Sequence, residues 1–282
     1  MCLGLFLLFA LLFPADEPRT VDPTFLHRHV PDIAEQRADI TTATCHYKPV
    51  FGAGDPQARI LKGIARFGEL TVDPGGESAR VSYPDEEQIY FVLDGAATLD
   101  SQPIRKHDFL YLRPGLAHAV KNANGSPCRI LVMGFRVPAR MQGDFAGMPI
   151  ANMDDVPLQT VEGHPASTQY RLLIGGVESK RDRIAAGRTI TSLFLMEFAP
   201  GGTNLPHHHE RAEEIYYVLD GTGDMVAGGG MDGIEGRHPT KPGDAWFFRL
   251  NCTVGFYSAP SSKARILAVR SWYPGMKIEG GE

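Results

Sequence analysis

At 282 residues the chain is long enough for two medium domains, each with its own buried core. A hydrophobic fraction of 43% and a charged fraction of 22% are ordinary for a globular protein. The formal charge of −5, with Lys and Arg scattered along the chain, excludes the basic footprint of a nucleic-acid binder and a basic membrane-surface patch.

Residues 1–15 read MCLGLFLLFALLFPA, an apolar run too short to be an integral membrane span and of the size of a signal-peptide core. No basic residues precede the run. It is either an atypical signal peptide, which would make the protein periplasmic or secreted, or a hydrophobic arm of a cytoplasmic protein. His27 and His29 spell His-x-His with no acidic partner or glycine frame after them and read as incidental. Residues 29–40 (HVPDIAEQRADI) are the best short-helix candidate. Cys2, Cys45, Cys128 and Cys252 show no paired spacing, so neither a disulfide framework nor a zinc knuckle is indicated.

The chain then repeats itself. Residues 74–95, PGGESARVSYPDEEQIYFVLDG, align without a gap to residues 200–221, PGGTNLPHHHERAEEIYYVLDG, at a constant offset of 126. Two later blocks match at an offset of 136: 107–120 with 243–256, and 128–133 with 264–269. The ten extra residues of the second copy fall in the Gly-rich stretch 227–236, which reads as a flexible loop shaping access to the second copy's site. Segments 87–95, 192–198, 213–221, 244–250, 253–259 and 265–272 are β-branched and aromatic runs punctuated by Gly, Pro and Asn, and therefore predict strands. The Asp-Gly pairs at 94–95 and 220–221 read as hairpin turns. Many short strands per half imply an all-β fold of two tandem jelly-roll barrels. Residues 16–145 form the N-terminal one and 146–282 the C-terminal one, with the Pro-, Met- and Gly-rich stretch 138–170 as linker.

Chemistry concentrates in the second copy, in Gly201-x5-His207-x-His209-x4-Glu214-x6-Gly221. Two histidines two apart on a strand face one side, and Glu214 reaches the same point from the start of the next strand. Two imidazoles and a carboxylate suit one divalent Mn, Fe, Zn, Ni or Co ion and leave coordination positions open. His208 should point away. Alternation from Glu214 puts Tyr216 and Val218 inside the barrel, and Cys252, Val254 and Phe256 inward together. The pocket is then largely apolar, with Tyr216 as its candidate catalytic proton donor or simply a packed strand residue, and Cys252 as filler.

This pattern resembles the first signature of the cupin superfamily, G-x5-HxH-x3,4-E-x6-G, matched at each of those positions. The resemblance implies two cupin (double-stranded β-helix) barrels. The second family signature, G-x5-P-x-G-x2-H-x3-N, survives in the second copy only at Gly243, and Val254 stands where the fourth ligand would be. In the first copy Val81, Tyr83 and Gln88 replace the three first-signature ligands. His118 remains, a satisfied pocket or core histidine in a metal-free barrel. His238 is an outside candidate for a fourth ligand.

These residues point to a metal-dependent bicupin enzyme acting on a small organic substrate, with dioxygenase-type oxidoreductase chemistry ahead of hydrolysis or isomerisation. The alternatives are a non-enzymatic small-molecule-binding bicupin and a barrel pair serving chiefly a homo-oligomer. The arrangement also resembles ureidoglycine aminohydrolases, two-barrel proteins with metal in the C-terminal barrel. There, however, the carboxylate and an imidazole exchange places and a glutamine completes the set. Oxalate-decarboxylase-like bicupins carry complete four-ligand sites, which this chain lacks in both halves.

Overall fold

The computed structural model describes residues 22–141, 143, 147–229 and 235–275, so residues 1–15 lie outside it. Among the described residues regular structure is almost wholly strand, with four single-turn 3-10 segments and no α-helix. Among the described residues no helix is long and apolar enough to cross a membrane.

Two large sheets carry the fold. In the N-terminal half, strands Asp108–Leu112, Glu86–Asp94, Cys128–Arg136, Ile64–Val72 and Cys45–Gly52 lie side by side. In the C-terminal half the corresponding order is Asp244–Phe248, Ala212–Asp220, Ala264–Trp272, Ile190–Phe198 and Thr168–Gly176. Each large sheet is closed by a three-stranded sheet, built on Ala96–Leu99 in the first half and on Gly223–Gly228 in the second. The two units are tandem jelly-roll barrels.

Both faces of each large sheet are buried, which is why its strands read as continuous apolar runs. On Ala212–Asp220, Tyr216 and Val218 enter the C-terminal barrel. Ile215 and Tyr217 face the other way, into a core shared with Phe51, Phe67 and Ile89 of the N-terminal half. Glu86–Asp94 behaves identically, with Tyr90 and Val92 inside its own barrel and Ile89 and Phe91 in the shared core. The molecule thus has three cores, the shared one holding the barrels back to back.

Three expectations are corrected. Residues 29–40 hold only a 3-10 turn, Val30–Asp32, opened by Pro31. Val30 packs into the shared core and Ile40 into the N-terminal barrel, so no single helical face exists to bury. The Asp-Gly pairs are not hairpin turns. At Gly95 the chain leaves the large sheet and enters the three-stranded one, with φ at +79° and Pro127 O only 2.4 Å from where a Cβ would sit. Gly221 repeats this against Lys263 O. Such a corner admits only glycine.

The third correction concerns His27 and His29, which lie on a strand shared between the halves. Phe25–His29 pairs antiparallel with Asp244–Phe248, and Ile150–Asn152 with Asp108–Leu112. Each half therefore lends its first strand to the other barrel, and a cut at 145/146 would leave both barrels one strand short. His27 and His29 are thus not incidental. Asp244 Oδ1 lies 2.8 Å from His29 Nδ1 and 3.3 Å from His27 Nε2, while Oδ2 accepts from Thr240 and from the Lys241 N–H. Its counterpart Asp108 accepts from Asn152 on the other lent strand, 2.7 Å away.

Burial pushes the Asp244 carboxyl up, but the Lys241 N–H, Thr240 hydroxyl and both histidines outweigh it, and its pKa lies below the ordinary value. A carboxyl depressed in the folded state stabilises the fold above its unfolded pKa, near 4, and loses that contribution as pH falls. Asp244→Asn should therefore lower the unfolding midpoint at pH 7, and the gap to wild type should close as pH falls through the folded pKa. Thermal unfolding of both proteins across that range checks this; a gap that widens in acid would overturn the assignment.

Candidate metal centre

The Thr203–His209 loop lies over the edge of the C-terminal barrel's three-stranded sheet. His207 is bridged to Val254, with His207 N–H to Val254 O at 2.9 Å and Val254 N–H to His207 O at 2.8 Å. That pairing turns His207 inward against Val254, while Glu214 enters from the third position of Ala212–Asp220. One donor atom each from His207, His209 and Glu214 lies within 4.8 Å of the others.

Glu214 is 1% exposed and its Oε1 accepts from Arg270 Nε at 2.6 Å. Burial pushes its pKa up, but Arg270 and His209 more than offset this and hold the carboxyl at about 2, so Glu214 is anionic throughout the useful pH range. The Nδ1 of His207 lies 2.9 Å from Leu205 O, which can only accept; Nδ1 therefore carries the proton and Nε2 offers a lone pair. Burial lowers the pKa of His207 and favours the neutral, ligating form.

The donor set fits a divalent cation. His207 Nε2, His209 Nε2 and Glu214 Oε2 are buried and make no hydrogen bond, an expensive arrangement unless something binds all three. His209 Nε2 stands 3.2 Å from Glu214 Oε2. Ligands about 2.1 Å from a shared ion are separated by roughly 3.0–3.4 Å. Manganese, iron, cobalt, nickel and zinc all accept such N/O ligands.

A cavity of about 400 Å³ is lined by His209, Arg270, Thr191 and Trp272, with His208 and Glu210 at its rim. His208 faces solvent, as alternation predicts. Tyr216, Val218, Cys252, Val254 and Phe256 share the barrel's interior cluster. Tyr216 is wholly buried, and its hydroxyl accepts from Asn204 Nδ2 at 3.2 Å. His238 packs at a tilt against Phe25 and Trp246 and is not in the donor cluster.

The N-terminal barrel holds the mirror image. Val81 is bridged to His118 as His207 is to Val254, so each barrel retains one member of the cross-strand pair. Both His118 nitrogens are engaged: Nδ1 with Leu116 O at 2.9 Å, Nε2 with the Tyr90 hydroxyl at 2.7 Å. Gln88, in Glu214's place, bonds to Glu86, which is held by Arg66. One engaged imidazole cannot hold a divalent ion.

A Cupin domain matches residues 68–134 and again 194–270, together more than half of the chain. The chain belongs to the cupin domain family. Among solved cupin structures it is similar to the putative glyoxylate induced protein of Pseudomonas aeruginosa, at 18% identity and TM-score 0.71, covering 95% of this chain and 96% of that one. Protein Ylba of E. coli aligns at 15% identity and TM-score 0.67 over 93% and 97%. Oxalate decarboxylase of Lactobacillus farciminis, in complex with formate, aligns at 14% and 0.63 over 91% and 88%. At these identities the likeness concerns the fold. No curated protein sequence matches the chain.

Two cupin-barrel residues escaped the sequence reading. Arg270 faces inward on Ala264–Trp272, directly opposite Glu214 in register. In the other barrel the corresponding arginine is Arg66, one strand over, opposite Gly134. A Cβ at Gly134 would lie 2.3 Å from Glu86 Oε2, so a side chain there would displace the Arg66–Glu86 pair. An inward charge at the period-2 position of strand 265–272 was the available signal for Arg270. The second residue is Tyr170, buried in the same interior cluster.

Proposed function

We propose that this cupin is a metal-dependent enzyme that binds a divalent ion through His207, His209 and Glu214 and acts on a small organic substrate with an oxygen or carboxylate head, in dioxygenase-type oxidoreductase chemistry. The observation that carries this reading is the convergence of three buried donor atoms, each without a hydrogen-bond partner, at ligand-to-ligand spacing. Two imidazoles and one carboxylate form the donor set of non-haem iron(II) oxygenases. A bound ion would supply a Lewis acid with open positions for substrate and O2.

The chain's own residues support that use. Val254 adds no fourth donor, which keeps a coordination face free. Leu205 fixes the His207 tautomer, and Arg270 holds Glu214 ionised while placing positive charge at the mouth, where it draws an anionic head inward. The apolar wall of Val218, Val254 and Phe256 excludes water from the floor.

The test is elemental analysis of protein purified without a metal-affinity tag, beside the His207→Ala/His209→Ala variant. Near-stoichiometric first-row metal in wild type, absent from the variant, is expected, followed by O2 consumption with small oxyacid substrates. Equal metal content in both proteins would sink the proposal, and resident zinc would redirect the reading to hydrolysis or isomerisation.

A further inference from the structure

Tyr170 stands on Thr168–Gly176 and is 3% exposed, yet its hydroxyl makes no hydrogen bond. A phenol enclosed in an apolar barrel usually finds a partner, because stranding it forfeits hydration without recompense. Its backbone is fixed on both sides: Tyr170 pairs with Met196 in the sheet and with Gln159 of the segment joining the barrels. The ring therefore has little freedom to seek a bond elsewhere.

Its neighbours lead back to the metal ligands by two routes. The His164 ring lies 5.3 Å from the Tyr170 ring and 5.6 Å, edge-on, from His207. The Phe194 ring lies 5.9 Å from Tyr170, and the Arg270 guanidinium, which holds Glu214, sits 4.9 Å from the centre of Phe194. The charges that act on the Tyr170 hydroxyl are those of Arg270 and Glu214, while burial, the larger influence, pushes its pKa up and keeps it a neutral donor. The orphaned hydroxyl thus feels the charges of Glu214 and of its partner Arg270, and Glu214 carries one of the three orphaned ligand atoms. Tyr216 differs, since Asn204 already donates to its oxygen.

We infer that the Tyr170 hydroxyl contacts the substrate, donating a hydrogen bond to the second oxygen of a ligand whose first oxygen is on the metal. The ligand class is a small molecule with two oxygens on one or adjacent carbons, such as a carboxylate, a 2-oxo acid or a 2-hydroxy acid. This role rests on the metal reading above. It also explains why the hydroxyl is retained where phenylalanine would pack as well.

The experiment uses the full chain loaded with Co2+, following the visible cobalt bands as acetate, and separately imidazole, is titrated into wild type and Tyr170→Phe. Acetate offers a second oxygen to the phenol; imidazole occupies the metal through one nitrogen and offers no acceptor. Tyr170→Phe is expected to bind acetate about tenfold more weakly, the loss of one hydrogen bond to a charged acceptor. Imidazole affinity and cobalt content should stay as in wild type, and the unfolding midpoint should not fall, because the removed hydroxyl had no protein partner. Unchanged acetate affinity, or an equal loss for acetate and imidazole, overturns this role while leaving the metal site standing. Absence of cobalt bands in wild type overturns the metal site and this role together.

Discussion

Glu87→Ala is expected to destabilise the protein by at least about 4 kcal/mol, mainly through donors that lie in the opposite barrel. Glu87 is fully buried and accepts from the backbone N–H groups of Arg188, Thr189 and Ile190, from the Thr189 hydroxyl and from Tyr111. Truncation strands five donors, four of them buried and each of those costing about 1–3 kcal/mol when left unpaired. Even with partial relaxation the sum is a large share of the stability of an ordinary domain. Glu213, its repeat partner, accepts from Lys62, Gly63 and Ile64, the residues 126 positions before those that Glu87 holds. The contact is reciprocal: each barrel inserts one carboxylate into three consecutive amides of the other. Glu213→Ala should therefore also weaken the junction, somewhat less because no hydroxyl is stranded. Chemical denaturation of both variants checks this, and a loss below about 1 kcal/mol for Glu87→Ala would mean that water replaces the carboxylate. A broadened or split transition is also expected, because the clasp couples two barrels that otherwise have separate interiors.

The barrels and the cluster of His207, His209 and Glu214 were readable in the sequence because they rest on local pattern. The repeat matched the central strands of the two halves, and the His-x-His spacing with a following glutamate brought three donors together. The clasp was not readable. Glu213 and Glu214 are adjacent and chemically alike, and alternation sends Glu214 into the barrel and Glu213 out to the other barrel. Sequence shows that the two point apart but not what Glu213 will find there. The lent strands at Phe25–His29 and Ile150–Asn152 escaped for a related reason, since periodicity says that a segment is a strand and nothing about which sheet it joins. Arg270 and Tyr170 were hidden more subtly. The stretch ending at residue 170 reads as linker, the other inward residues beside Arg270 are apolar, and the significance of each appears only when register sets it beside groups far off in the chain.

Arg270→Leu should destabilise the metal-free protein by about 3–5 kcal/mol, because it leaves the Glu214 carboxylate buried with the loss of its cation. The effect should have a distinct dependence on pH and on metal. In wild type Glu214 is held near 2, below its unfolded value near 4.3, so its contribution is present above about pH 4 and lost as pH falls toward 2. Without Arg270 the folded pKa rises, and the gap between variant and wild type should close in acid, as protonation removes the charge that Arg270 balanced. A divalent ion bound at the cluster would supply the missing positive charge at neutral pH, so metal should raise the unfolding midpoint of Arg270→Leu more than that of wild type. The double variant Arg270→Leu/Glu214→Leu should recover much of the metal-free stability, since replacing both members of a buried ion pair by apolar groups is often neutral or stabilising. These outcomes separate two roles for Arg270. If metal raises both proteins equally, the arginine does not share the Glu214 charge with the ion. If metal rescues the variant selectively, Arg270 stands in for part of the ion's charge in the metal-free barrel, and Glu214 is kept ionised and positioned before the ion arrives.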